Sequence, residues 1–258
     1  MTGIAAGIAP GVAGGIAPGL GVPVSGVEPF YGLSFDGGDY VEVPKITAID
    51  GATALTVAAW VFHENAASPI HEEIVTCFDN SSTPTERQYR LFVFDLTHRF
   101  LYGTVVLNTG LKQTSHNVNF PVNEWVHVAM TWSTGTGKLR LYQNGVMVKE
   151  ANAAGANIAT VAADAVTRIG CMGEDPTPAF FFTGKITAVV LEDSVLDISA
   201  LMLDTAPASV IARWPMQPGS GSSCEDKSGN GHDGTLPAAP STPTWIGPYI
   251  ILTASGPA

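Results

Sequence analysis

Few residues in this chain combine the right types with a spacing that chemistry could use. The stretch CEDKSGNGHDG (224–234) sets Asp226, Asn230 and Asp233 in a tight, Gly-rich loop. Hard oxygen donors on a flexible loop are what Ca²⁺ takes, so calcium is the candidate cofactor and these three residues its candidate ligands. Asp36 and Asp39 in FDGGDY (35–40) form a second, smaller set. Asp and Asn side chains also close loops unaided, by accepting hydrogen bonds from nearby backbone, and that reading is favoured for both stretches. The pairs His63/His71 and Arg87/Arg90 border long polar loops at 64–70 and 79–87, which suit a sugar or protein surface. Tyr102, Trp132, Tyr142 and Trp245 carry rings that could stack on a sugar, but each falls in a strand pattern and is expected in the core.

Catalysis finds less support. Glycoside hydrolysis needs two carboxyl groups about 5–5.5 Å apart for retention of configuration, or about 6.5–9.5 Å for inversion. HEEIVTCFD (71–79) puts Glu72 and Glu73 on opposite faces of a strand, and the acidic pair in MGEDPTP (172–178) is followed at once by proline. There is no GxSxG elbow and no HExxH. Cys77, Cys171 and Cys224 are widely spaced, without a CxxC pair, and read as buried free thiols of a reducing compartment. No catalytic residue is assigned, and the chain is expected to be non-enzymatic.

The elements that must carry these residues are strands. Runs of strand formers occur at 32–35, 40–43, 55–62, 73–78, 89–95, 100–106, 125–132, 139–143, 146–149, 167–169 and 184–191, with a loop around Gly110. YVEVP and KLRLYQ alternate apolar and polar residues, as a half-buried strand does. LTVAAWVF (55–62) is more continuously apolar, as expected of a central strand covered on both sides. In EWVHVAMTW (124–132), Trp125, His127 and Ala129 share one face, and Val126, Val128, Met130 and Trp132 the other. His127 is therefore expected to be a packed, hydrogen-bonded histidine rather than a base. Asn144-Gly145 suits a two-residue type I′ hairpin, in which both central residues take positive φ. DISALMLD (197–204) is the one helical signal, with Asp197 as N-cap. Many short strands joined by Gly, Pro and Asn turns predict an all-β sandwich of two antiparallel sheets.

At 258 residues, 45% of them hydrophobic, the chain can build one large sandwich. A net charge of −11 with scattered Lys and Arg argues against nucleic acid as a partner. The first residues, MTGIAAGIAPGVAGGIAPGLGVPVSGV, lack the basic n-region of a signal peptide. They are uncharged but rich in Gly and Pro, so no membrane span is expected. The segment is a repeat in which Gly3, Gly7, Gly11, Gly15 and Gly19 are each followed by an apolar residue: Ile4, Ile8, Val12, Ile16 and Leu20. A linker needing only reach would be better solvated by Ser and charge. These ten positions are accordingly read as an assembly arm, with a flexible linker as the alternative. The expected organisation is an extended Gly/Ala/Pro arm at 1–29, a sandwich at 30–204, and a terminal segment at 205–258.

LSFDGGDYVEVP (33–44), LTVAAWVF (55–62), EWVHVAMTWSTGTGKLRLYQNGVMVKE (124–150), TRIGCM (167–172) and FFTGKITAVVLEDSVLDISAL (181–201) occur in an order that resembles laminin-G-like and pentraxin-like domains of the concanavalin A-type lectin/glucanase sandwiches. The resemblance covers roughly 30–204 and implies a concanavalin A-like jelly roll. It departs from the pattern in one place. ARWPMQPGSGSSCEDKSGNGHDGTL (212–236) resembles a segment that usually precedes the first strand, yet here it follows the domain. Two arrangements remain open: permuted strands, in which 211–214 and 245–252 join the sheets, or a second arm or truncated unit.

Three functions fit these features. The first is a phage virion component (capsid decoration, spike or tail-associated) anchored to other virion proteins by its arm, homo-oligomeric, facing outward and able to hold host glycans. Its location is the virion, assembled in the host cytoplasm. The second is a carbohydrate-binding module or adhesin tethered at the cell surface or outside the cell. The third, ranked last, is a divergent polysaccharide-active enzyme.

Overall fold

The computed structural model describes residues 30–64, 70–79, 87–95, 99–173, 177–202, 209–217 and 219–249. The repeat at 1–29, with the ten arm positions, the loop residues 65–69 and 80–86, and residues 250–258 lie outside the described residues. In chain order the strands are β1 (Phe30–Asp36), β2 (Val41–Pro44), β3 (Ala54–His63), β4 (Ile70–Phe78), β5 (Arg87–Asp95), β6 (Phe100–Leu107), β7 (Gly110–His116) and β8 (Trp125–Ser133). They continue as β9 (Lys138–Gln143), β10 (Val146–Asn152), β11 (Val166–Ile169), β12 (Thr183–Glu192), β13 (Ala212–Trp214), β14 (Ser223–Cys224), β15 (Gly234–Thr235) and β16 (Thr244–Tyr249). A short helix, α1 (Ile198–Met202), follows β12.

Two antiparallel sheets pack face to face. The first runs β10-β9-β8-β3-β12-β1-β16, with β13 also on β12, and the second runs β14-β15-β2-β11-β4-β5-β6-β7. β1 pairs with β12 over Thr183 to Ile186, and β13 pairs with it over Val189 to Leu191, so the two share one edge of β12. A bulge between Thr187 and Val190 on β12, with Ala188 at φ 48°, interrupts its pairing with β3. β13 and β16 thus lie in the first sheet and β14 and β15 in the second.

Period-two alternation decides which side chains fill the space between the sheets. Leu33, Phe35, Leu55, Val57, Val61, Val126, Val128, Met130, Trp132 and Ile186 face inward from the first sheet. Val41, Val43, Val75, Tyr89, Leu91, Val93, Leu101, Val105 and Ile169 meet them from the second. Each fully buried large aliphatic or aromatic side chain contributes about 1.5–3 kcal/mol. Two large polar side chains in this core are satisfied: Trp132 Nε1 donates to the Ala153 carbonyl (2.9 Å), and Tyr89 and Thr167 share a hydroxyl bond (2.7 Å).

β3 is covered on both faces from Leu55 to Val61. Its outward Ala58, with Ala129 and Val190 beside it, lies under Ile198 and Leu201 of α1. Asp197 caps that helix by accepting the Ser199 N–H (2.9 Å), as expected; residues 203–204 of DISALMLD lie outside the described residues. The turn at Asn144-Gly145 has both φ angles positive, 48° and 76°. The main departure is β7, where a loop was expected. GLKQTSH is an edge strand with one open side and lacks the apolar alternation that marks an interior strand. No helix among the described residues is long and apolar enough to cross a membrane.

Candidate functional site

The outer face of the second sheet carries a buried polar cluster. Because Tyr89, Leu91 and Val93 point to the core, alternation turns Arg90, Phe92 and Phe94 outward on β5. Strand register sets Thr76 and Thr104 beside Arg90, with Arg168 beyond Thr76 and Gln113 beyond Thr104. The adjacent row is Glu73, Phe92, Tyr102 and Ser115, and the next holds His71, Phe94 and Phe100.

Glu73 is wholly buried although it faces away from the core. Arg90 compensates it: Nε donates to Glu73 Oε1 (3.0 Å), and a terminal nitrogen reaches both that oxygen and His71 Nε2. His71 Nε2 also lies 3.0 Å from Glu73 Oε1. The guanidinium is held between the rings of Phe92 (4.1 Å) and Phe78 (4.8 Å). Phe180 covers His71 with ring centroids 4.0 Å apart, and Tyr102 stacks on Phe92 (5.1 Å, 23°).

Two features bear on ligand binding. Glu73 Oε2 is buried and has no hydrogen-bond partner among the described residues, an unsatisfied acceptor beneath the surface of the cluster. Phe180 sits at φ 55°, a left-handed conformation uncommon for an aromatic residue, held there by the Glu73 N–H donating to its carbonyl (3.0 Å). His71, Phe94, Tyr102 and Phe180 are half-buried and present the edge of the cluster to solvent.

Glu72 points the other way, as the alternation of HEEIVTCFD requires. It pairs with fully buried His63, whose ring stands edge-on to Phe182 (5.6 Å) and Phe120 (6.1 Å). The two glutamates therefore cannot flank one bond. Also on the outer face, Glu42 of β2 is paired with Arg168 (3.2 Å). All three cysteines are buried and outside any disulfide; burial pushes the Cys224 thiol up to about 12 and the Cys171 thiol higher still, so neither forms a thiolate nucleophile at neutral pH.

In the loop proposed for calcium, Asp226 Oδ1 accepts the N–H groups of Arg213 (3.0 Å) and Ser228 (2.8 Å). Its Oδ2 accepts the Ser228 hydroxyl (2.7 Å) and the His232 N–H (3.0 Å). Burial alone would raise the Asp226 pKa, but these donors outweigh it and hold the carboxyl below its usual range. Asp233 Oδ1 accepts the Asp226 N–H (2.7 Å), and the Asn230 amide donates to the carbonyls of Val210 (3.1 Å) and Ile211 (2.9 Å). The three residues are brought together, with Asp226 and Asp233 oxygens accepting protein donors and the Asn230 side-chain nitrogen turned to two carbonyls. Asp36 and Asp39 also close a turn, through the Gly38 and Asp36 N–H groups (3.1 and 2.9 Å). Among the described residues no three His, Cys, Asp or Glu side chains gather in a way that could hold a metal ion.

The other expected residues divide by face. Trp132 is core, and Trp245 packs against its edge. Tyr142 lies against the cluster under α1. Tyr102 corrects its expectation, because it stacks on the outer face of the second sheet. His127 is packed edge-on against Trp60 (5.4 Å), but its Nδ1 has no hydrogen-bond partner among the described residues, contrary to the expected bond. Phe92 and Phe180 are not singled out by the sequence, and Glu73 is weighed there only as one of a pair of carboxylates for glycoside hydrolysis. The alternation of RQYRLFVFD was the available signal for Phe92, since it places Arg90, Phe92 and Phe94 together.

The model of a laminin G family, described as concanavalin A-like lectin/glucanases superfamily, matches residues 35–199, and the chain belongs to that superfamily. No curated protein matches it. Among solved structures, a candidate carbohydrate-binding protein from Bacteroides ovatus aligns with TM-score 0.63 at 14% identity, over 84% of this chain. This chain spans 60% of the length of that protein. The CBM40 domain of the Ruminococcus gnavus IT-sialidase, bound to α2,3-sialyllactose, aligns with TM-score 0.56 at 12% identity, over 68% of this chain and 96% of its own. The native heptameric SAP-like pentraxin of Limulus polyphemus aligns with TM-score 0.47 at 16% identity, over 71% of this chain and 84% of its own. At these identities the likeness is one of fold.

Proposed function

We propose that this chain is a non-catalytic carbohydrate-binding module and that its ligand face is the outer face of the second sheet around Glu73, Arg90 and His71. One observation carries the reading: a fixed set of charged donors and acceptors, including a carboxylate oxygen with no partner among the described residues, is ringed by aromatic side chains that reach solvent. Sugars need this pairing, with hydroxyls bonded to planar charged groups and C–H faces laid on rings. The fold shared with the Bacteroides and Ruminococcus proteins supports it. A glycosidase is disfavoured because Glu73 and Glu42 are each taken up by an arginine, and Glu72 faces the core. The virion and assembly reading rests on the repeat at 1–29, and nothing among the described residues adds to it.

A glycan array probed with the full chain, followed by calorimetry, tests the proposal. The expected result is at least one bound glycan whose affinity falls about tenfold in Tyr102→Ala, the loss of one stacked ring, with melting temperature preserved. No bound glycan, or affinity unchanged from the wild type in both Tyr102→Ala and Arg90→Met, would overturn it.

A further inference from the structure

The opposite face of the sandwich carries aromatic residues that the cluster on the second sheet does not use. Leu33, Phe35, Val61, Val126 and Ile186 point into the core, so their strand neighbours point out. Register aligns five of these in one row across five strands: Thr244 of β16, Ser34 of β1, Lys185 of β12, Phe62 of β3 and Trp125 of β8. The row crosses four strand spacings, about 19 Å in all. Thr244 is exposed and the other four are half-buried, so the whole row reaches solvent.

Its chemistry changes along its length. Trp125 and Phe62 meet at 5.8 Å with their rings inclined by 64°. The Lys185 ammonium stands 4.4 Å from the Phe62 ring centroid and pairs with Glu64. Ser34 and Thr244 supply hydroxyls at the far end, and Asp36 and Thr183 are paired alongside them. On the other flank the sheet is closed: Trp60 Nε1 donates to the Met202 carbonyl at the end of α1 (3.3 Å), and Met202 packs with Trp60, Ala188 and Trp125. α1 therefore covers one part of this face and forms a wall beside the row.

We propose that this row is a second carbohydrate-binding site, for an extended neutral polysaccharide such as a β-1,4-linked glucan or xylan, which makes the module bivalent across its two faces. Charge selects the occupant. The row's one cation is neutralised by Glu64, and the chain carries −11 overall, so anionic glycans, nucleic acid and acidic lipid surfaces are repelled. The apolar part is two rings wide and grades into hydroxyls and an ion pair. That form fits a ribbon of sugar rings, with a C–H face on Trp125, the inclined Phe62 ring beside it, and hydroxyls at Lys185, Glu64, Ser34 and Thr244. A protein partner would need a broad apolar centre instead. Two sites on opposite faces would bind neighbouring chains of a polysaccharide with avidity that neither reaches alone.

The site stands on residues separate from those of the second sheet, so either can fail without the other. The test is calorimetry with cellohexaose and xylohexaose on the full chain, together with the Trp125 indole N–H resonance, assigned by its loss in Trp125→Phe. The expected result is binding of at least one hexasaccharide with movement of that resonance. Trp125→Ala should weaken affinity about tenfold, while Trp125→Phe keeps most of it and shows that the sheet is intact. Tyr102→Ala should leave the Trp125 resonance moving as before. Failure of both hexasaccharides to bind, or unchanged affinity in Trp125→Ala, overturns this proposal. Binding lost in Tyr102→Ala but kept in Trp125→Ala overturns it while supporting the site on the second sheet.

Discussion

Acid should destabilise this sandwich through His127, by an amount that the packing sets. The imidazole is buried at 1% exposure beneath Trp60, with Nδ1 unpartnered among the described residues. Burial lowers its pKa from 6.5 to about 4, because no counter-charge compensates the imidazolium. In the unfolded chain the same ring takes a proton near pH 6.5. Between those values the unfolded state binds more protons than the native one, so stability falls as pH drops from 6.5 to 4 and is fully retained above 6.5. The interval of 2.5 units at about 1.36 kcal/mol each gives a loss of about 3 kcal/mol by pH 4. Urea unfolding at pH 7.5 and 4.5 measures it, with His127→Phe as the non-titrating reference that keeps a ring against Trp60. The wild type should lose about 2–3 kcal/mol more than His127→Phe between the two pH values. Equal losses in the two proteins would refute the argument, showing that solvent or an unrecognised partner reaches the imidazole.

Other perturbations address the two polar centres and the backbone beside the proposed row. Arg90→Met leaves the Glu73 carboxylate buried without its counter-charge and should cost about 3–5 kcal/mol in urea unfolding, while Arg90→Met combined with Glu73→Gln should cost less than the sum of the single changes. Asp226→Ala strips the acceptor from three backbone N–H groups and the Ser228 hydroxyl and should destabilise by about 2–4 kcal/mol. Calcium or a chelator should leave the melting temperature of the wild type unchanged, because the Asp226 oxygens are already engaged; a rise of several degrees with calcium would show a site there. Gly184→Ala should cost at least about 2 kcal/mol, since φ is 141° and the new Cβ would press on the Phe62 carbonyl, with the loss visible as a fall in melting temperature.

Much of the fold was legible because burial on one side writes a period of two into a strand. KLRLYQ and EWVHVAMTW alternate, and β9 and β8 follow them. β7 escaped for the converse reason: as an edge strand it has little apolar pattern to display. The functional face was half legible. Alternation in RQYRLFVFD puts Arg90 with Phe92 and Phe94, and that in HEEIVTCFD separates Glu72 from Glu73. It does not say that β4 and β5 pair, and so it does not say that Glu73 meets Arg90.

What the sequence determines by itself is local: strand or turn, the Asn144-Gly145 hairpin, the Asp197 cap, and which side chains share a face. Each follows from φ/ψ preference or from the alternation of a pleated strand, both set within a few residues. What only the tertiary structure decides is which faces meet. Residues seventeen apart in sequence join Glu73 to Arg90, and five strands gathered from 34 to 244 align the row through Lys185, Phe62 and Trp125. Sheet order arises from closing a core whose pieces are far apart along the chain, and a one-residue slip in register would turn each of these side chains to the opposite face.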